Sequence, residues 1–305
     1  MTATPPHPVI RFGTSSWAYE GWQGLVYHRV YPKSRFSQDT LAEYAAYAPT
    51  GAPQFSTVGI DHSFYRPASA RQLAHYAEQV PGTFRFCQKV WEEITIPAYA
   101  NLPRYGAKAG RANPRFLDVG TFRDLVFHPT VDGLGDKLGP FMFEFQRFGL
   151  DPAMFLDRLD RFLAQLPPGF PYAVEVRNPA ILGPRYRDIL RAHGVAHIYN
   201  HWTAMPPLSD QHRALEGIFP ASFAVLRLLT PLGLAFEEAV KHYAPYKQIV
   251  RRQPRMRKDT VDLVKQATDR GVSTYVLVNN RSEGCSPVTV REILDQLAGT
   301  HSHAL

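Results

Sequence analysis

The sequence predicts an α/β protein folded as a TIM-like (β/α) barrel of about eight parallel strands. Three observations carry that expectation. The chain has 305 residues and 45% hydrophobic content, enough to bury a sizeable core. Short apolar runs of strand character recur eight times along it. Amphipathic segments separate most of them, and strand alternating with helix so many times argues for a closed parallel barrel.

In chain order, the expected strands cover residues 9–13, 55–60, 84–90, 140–146, 172–177, 195–200, 223–229 and 274–279. The amphipathic segments cover 40–48, 68–79, 152–165, 185–193 and 259–270. In the third of these, Met154, Phe155, Leu156, Leu159, Phe162, Leu163 and Leu166 fall at helical spacing, which reads as core packing. Two segments exceed a minimal barrel connection. Residues 98–139, rich in Gly, Pro, Arg and Asn, form a long excursion after strand 3, where barrel active sites are built and where loops of such length are lids, excursions or mobile segments. Residues 203–218, with Pro206, Pro207, His212 and Arg213, form a second long loop after strand 6. With no internal repeat and no linker, residues 1–305 are expected to be a single barrel domain.

The net charge of +7 favours acidic partners. Much of the excess lies in one stretch holding Lys247, Arg251, Arg252, Arg255, Arg257 and Lys258, which suits either a solvated helix face or a phosphate-contacting patch. Cys87 and Cys285 are the only cysteines and lack metal-ligand spacing, so neither a disulfide framework nor a zinc site is expected. A reducing cytoplasm is the expected compartment. No signal-peptide pattern opens the chain and no apolar stretch reaches the ~20 residues of a membrane span, so no membrane partner is expected.

Glu175 and Arg177 carry most of the functional information. Side chains two apart on a strand point the same way, so this acid and base share one face of an otherwise apolar strand. Two charges there are either a mutually satisfied pair or part of a site, because an unpaired buried charge is costly.

Strand 1 ends in Gly13-Thr14-Ser15-Ser16-Trp17, followed by Tyr19, Gly21-Trp22 and Tyr31-Pro32, and strand 2 runs into the stretch Val58-Gly59-Ile60-Asp61-His62-Ser63-Phe64-Tyr65-Arg66-Pro67. With Phe84-Arg85-Phe86-Cys87-Gln88-Lys89, Val174-Glu175-Val176-Arg177 and Asn279-Asn280 before Gly284, the chain resembles the YecE-like family, domain of unknown function seventy-two, over roughly residues 11–297. The resemblance implies a TIM-like barrel with motif residues at the strand ends, and no established reaction. Trp17, Phe64, Tyr65, Lys89, Gln146, Glu175, Arg177, Arg227, Asn279 and Asn280 match family positions. The chain departs from the family pattern at Gly59 and Asn200, where acids are usual, at Asp61, where Asn is usual, and at Glu144, where an apolar residue is usual. Alternation puts Glu144 on the face of Gln146, and Glu144 is expected to replace the lost second-strand acid from across the barrel.

If the strand ends point inward, Lys89, Gln146, Glu175, Arg177, Arg227 and Asn279 converge on one mouth with Asp61 at its rim. A small anionic ligand, phosphorylated or sugar-containing, is the expected partner. Arg177 and Arg227 would hold it and Gln146 and Asn279 orient it, with Glu175 and Lys89 as the acid–base pair and Asn280, Asp61, Trp17 and Tyr65 completing the set. Aromatic residues at the mouth, Trp17, Trp22, Phe64, Tyr65 and Trp91, either stack on a ligand or cap the barrel. No cofactor is legible and no metal is expected. His193, His197 and His201 cannot all share one helical face, and the better divalent set is Asp61 and His62 with Glu175. Two alternatives remain open, a nucleic-acid-binding or processing barrel and a non-catalytic ligand sensor.

Overall fold

The computed structural model describes residues 7–147 and 151–299. Eight parallel strands, hydrogen-bonded in sequence order, close into a barrel: β1 (Ile10–Thr14), β2 (Thr57–Ile60), β3 (Arg85–Lys89), β4 (Leu138–Phe145), β5 (Tyr172–Val176), β6 (Ala196–His201), β7 (Phe223–Leu228) and β8 (Ser273–Val278). The closing pair aligns Ile10 with Thr274 and Thr14 with Val278. Each strand lies within two residues of its expected place.

Alternation along these strands sorts side chains into two cores. One face packs outward against the helices in a large aromatic-rich cluster. The other points into the barrel, where Cys87, Met142, Ala173, Ile198, Val225 and Leu277 are part of a compact apolar plug. Two residues further along those same faces stand Lys89, Glu144, Glu175, Asn200, Arg227 and Asn279. A polar layer thus sits directly on the plug, at the end of the barrel towards which all eight strands run.

The long segments are divided differently from expectation. Residues 98–139 are not one excursion: Val119–Phe122, a π-helical turn at Arg123–Phe127 and His128–Leu134 form the helical return to β4. This return packs against Ala70–Glu78 so closely that a Cβ at Gly133 would meet Ala70 O and Leu73 Cβ at 2.6 Å. Pro129 and Gly133 interrupt its helical pattern, which is why it reads as loop. After β6, the expected second loop contains the helix Leu208–Ala214, packed on Pro254–Asp269. The long connection instead follows β7, where residues 229–253 include the helix Phe236–Tyr243.

The basic stretch is largely neutralised. Arg252 pairs with Glu292, Arg255 with Asp210 and Lys258 with Asp262, while Arg257 is buried between Glu283 and Glu292. No helix among the described residues is long and apolar enough to cross a membrane.

Candidate ligand site at the C-terminal end of the barrel

Glu144 and Glu175 occupy paired positions on β4 and β5, so two carboxylates lie side by side in the barrel interior, 1% and 0% exposed. Such a pair is tolerable only if cations bridge it. Arg227, itself 1% exposed, reaches in from β7 and its NH1 donates to both, to Glu144 Oε2 at 2.9 Å and to Glu175 Oε2. Arg177 donates through Nε to Glu175 Oε1 at 2.9 Å and through NH2 to Glu144 Oε2 at 2.7 Å. Lys89 Nζ lies 2.8 Å from the same Glu144 oxygen, and Gln146 Nε2 donates to the other. Asp61, in the 3-10 turn leaving β2, accepts from Arg227 NH2 at 3.2 Å.

Three cations therefore meet three carboxylates, and the layer is balanced rather than cationic. Burial alone would push the Glu144 carboxyl up; Arg177, Lys89 and Arg227 outweigh it and hold that carboxyl well below the ordinary range. Burial pulls Arg227 down, and Glu175, Asp61 and Glu144 outweigh that in turn, so its guanidinium is held charged. The network is also packed from above, with Lys89 Nζ 3.9 Å from the Phe64 ring centre and Arg177 3.9 Å from that of Trp202.

Above this layer opens a cavity of about 580 Å³. Of the expected site residues, Lys89, Gln146, Arg177, Arg227, Asn279, Asp61 and Tyr65 line it. Glu175 lies beneath, both of its oxygens taken by arginines. Trp17 is packed behind the wall, its Nε1 donating to Ser37 O and its ring edge-on to Tyr76. Asn280 is turned away: its Oδ1 accepts from Trp22 Nε1 and from the backbone and hydroxyl of Ser286, which tie down the start of Ser286–Leu297. Glu144 points inward, as its alternation with Gln146 requires. At Gly59 the β1–β2 approach is tight, since a Cβ would meet Ser15 O at 2.7 Å.

The cavity wall adds residues not anticipated from sequence, among them Tyr19, Glu92, Arg104, Trp202, Phe236 and Arg281. Arg281 follows the Asn279-Asn280 motif, and Trp202 lies just past β6, so proximity to strand ends was their only signal. Arg281 stacks on the Phe236 ring at 4.5 Å. Its Nε is buried with no acceptor among the described residues, and no carboxylate there pairs with it.

Among the described residues no three His, Cys, Asp or Glu side chains converge as a metal site. The three spaced histidines separate: His193 meets Asp160, His197 lies between Tyr186 and Gln211, and His201 is buried on β6, its Nε2 without a partner among the described residues.

Two solved structures share this fold. A DUF72 family protein from Enterococcus faecalis V583 superposes with a TM-score of 0.64 at 15% identity, covering 95% of this chain and 96% of its own. One from Thermotoga maritima MSB8 gives 0.63 at 18% identity, covering 95% and 99%. At such identities the likeness is one of fold. No curated protein matches this chain. A family model described as "Protein of unknown function DUF72" matches residues 11–304, and the chain belongs to that family.

Proposed function

We propose that the cavity binds a small anionic ligand, phosphorylated or carrying a carboxylate, and that Arg281 rather than Arg227 anchors the anion. The carrying observation is a difference among the cations lining the cavity. Lys89, Arg104, Arg177 and Arg227 each have a carboxylate partner, and Arg281 has none among the described residues. Its stacking on Phe236 presets the guanidinium plane, so less rotamer entropy is lost when its fork takes two oxygens. Arg177 assists with the NH1 left over from its two carboxylates. Trp202, Tyr65 and Phe236 offer aromatic surface to the remainder of the ligand, which suits a sugar or other ring.

Acid–base chemistry on such a ligand falls to Lys89 and Asp61, which both line the cavity. Glu175 then acts as a positioning residue through Arg177 and Arg227, since its own oxygens do not reach the cavity. A sensor would bind the same ligand and release it unchanged. Nucleic acid is the weaker reading, because most of the basic stretch is paired and lies outside the cavity lining.

A thermal-shift panel of sulfate, phosphosugars, nucleotides and carboxylates tests the proposal. Anionic probes should raise the melting temperature of the protein, and Arg281→Ala should weaken them by ~10–100-fold, as loss of a charge-assisted pair implies. Equal stabilisation of the wild type and Arg281→Ala by every anionic probe would overturn it.

A further inference from the structure

Between β3 and the helical return, the chain rises over the cavity as a narrow strap. Its legs pair with each other: Tyr99 N donates to Arg111 O and Gly110 N to Tyr99 O, both at 2.9 Å, and Asn113 N donates to Pro97 O at 2.9 Å. Within residues 97–113 only Tyr99 and Asn113 are buried, so little apolar packing holds the strap down. Ala98, Ala100, Leu102, Arg104 and Tyr105 nevertheless form one wall of the cavity.

Two adjacent buried carboxylates hold the strap, and only one of them reaches its paired legs. Glu93 grips the legs, accepting from Tyr99 OH at 3.0 Å while Asn113 Nδ2 donates to its backbone oxygen at 2.7 Å, and it also takes Lys108 Nζ at 2.6 Å where the tip rejoins them and Arg115 NH1 at 3.1 Å just past the strap. Glu92 grips only the tip, one oxygen accepting from Arg104 NH2 and Tyr105 OH, both at 2.9 Å. The strap turns at Gly106 (φ +51°) in its tip and at Gly110 (φ +74°) where the returning leg begins, a backbone region that glycine enters without strain.

We propose that residues 97–113 are a lid hinged on Glu93 and latched by Glu92, which brings Arg104 to the bound anion. Arg104 gives one terminal nitrogen to the latch and keeps the rest of its fork for a ligand. The groups facing Glu92 are Arg104, Tyr105, Lys89 and Glu93. Burial raises the Glu92 carboxyl against the opposing pull of Tyr105, Arg104 and Lys89, whereas at Glu93 the donors outweigh burial and the carboxyl is lowered. The hinge thus stays ionised under conditions where the latch begins to take a proton. The role of Arg104 rests on the anion site proposed above; the lid does not.

Limited trypsin digestion of the full chain, with fragments identified by mass spectrometry, tests the lid without any ligand. Glu92→Gln should speed cleavage after Arg104 by about tenfold, the equivalent of losing one charge-assisted bond, and leave cleavage elsewhere in the barrel unchanged. Glu93→Gln should expose Lys108 and Arg111 as well. Equal cleavage after Arg104 in the wild type and Glu92→Gln, or acceleration spread over the whole chain, would overturn the lid. For the ligand contact, Arg104→Gln should weaken sulfate binding severalfold. An unchanged sulfate affinity there would remove Arg104 from the site, whereas an unchanged affinity in Arg281→Ala would remove the anion site itself and leave the digestion result standing.

Discussion

Glu144 is the side chain on which the polar layer depends, because Lys89, Arg177 and Arg227 all converge on one of its oxygens. Removing one member of a buried ionic group leaves its partners uncompensated, at a cost of about 3–5 kcal/mol. Glu144→Gln should lose stability on that scale in urea denaturation; a loss below ~1 kcal/mol would mean that solvent already compensates the three cations. The sign of the pH effect follows from the lowered folded-state carboxyl. Its contribution is complete above the unfolded glutamate value and is lost as pH falls through the depressed folded value, so the Gln variant should lack that part of the acid limb. Alternation along a strand made Glu175 legible with Arg177 and Glu144 with Gln146, while Arg227 was legible from the family resemblance. Their depth was not legible, because it depends on strand register: pairing Glu144 with Glu175 under the reach of Arg227 sinks Glu175 below the cavity floor. Arg281 stands beyond the last strand, where no periodicity operates.

At the level of elements, β6 and the helix Leu208–Ala214 share a buried polar seam. Tyr199 OH and His212 Nδ1 are 2.8 Å apart, and His197 meets Tyr186 and Gln211. Burial drives His197 down to about 3 and His201 and His212 to about 4, so all three are neutral in the folded protein. An unfolded histidine titrates near ~6.5, so the unfolded chain gains protons first as pH falls. The contribution of these groups is therefore complete above that value and is lost between it and about 4 for His201 and His212, and down to about 3 for His197. The melting temperature should decline across this window, and His197→Gln should decline less steeply; parallel curves for the two proteins would show that the seam is not responsible. The eight strands were legible because short apolar runs are dictated by burial on both faces. Leu208–Ala214 and His128–Leu134 were not, since prolines beside or within them and a π-helical turn before the latter mask the helical period.

The whole molecule combines a net charge of +7 with a barrel mouth whose deepest polar layer is charge-neutral. Overall charge can steer an anion towards the protein, but recognition has to come from a cation that the fold leaves uncompensated. The closed barrel supplies the floor of the cavity and the strap over residues 97–113 one of its walls, so the binding and the closure proposed above would reside in different parts of the chain. A crystal structure of the protein with selenate, located by its anomalous scattering, tests the site most directly. Selenate should lie in the cavity within hydrogen-bonding distance of the Arg281 guanidinium. Selenate bound only elsewhere, at concentrations that raise the melting temperature, would contradict an anion site at the barrel mouth.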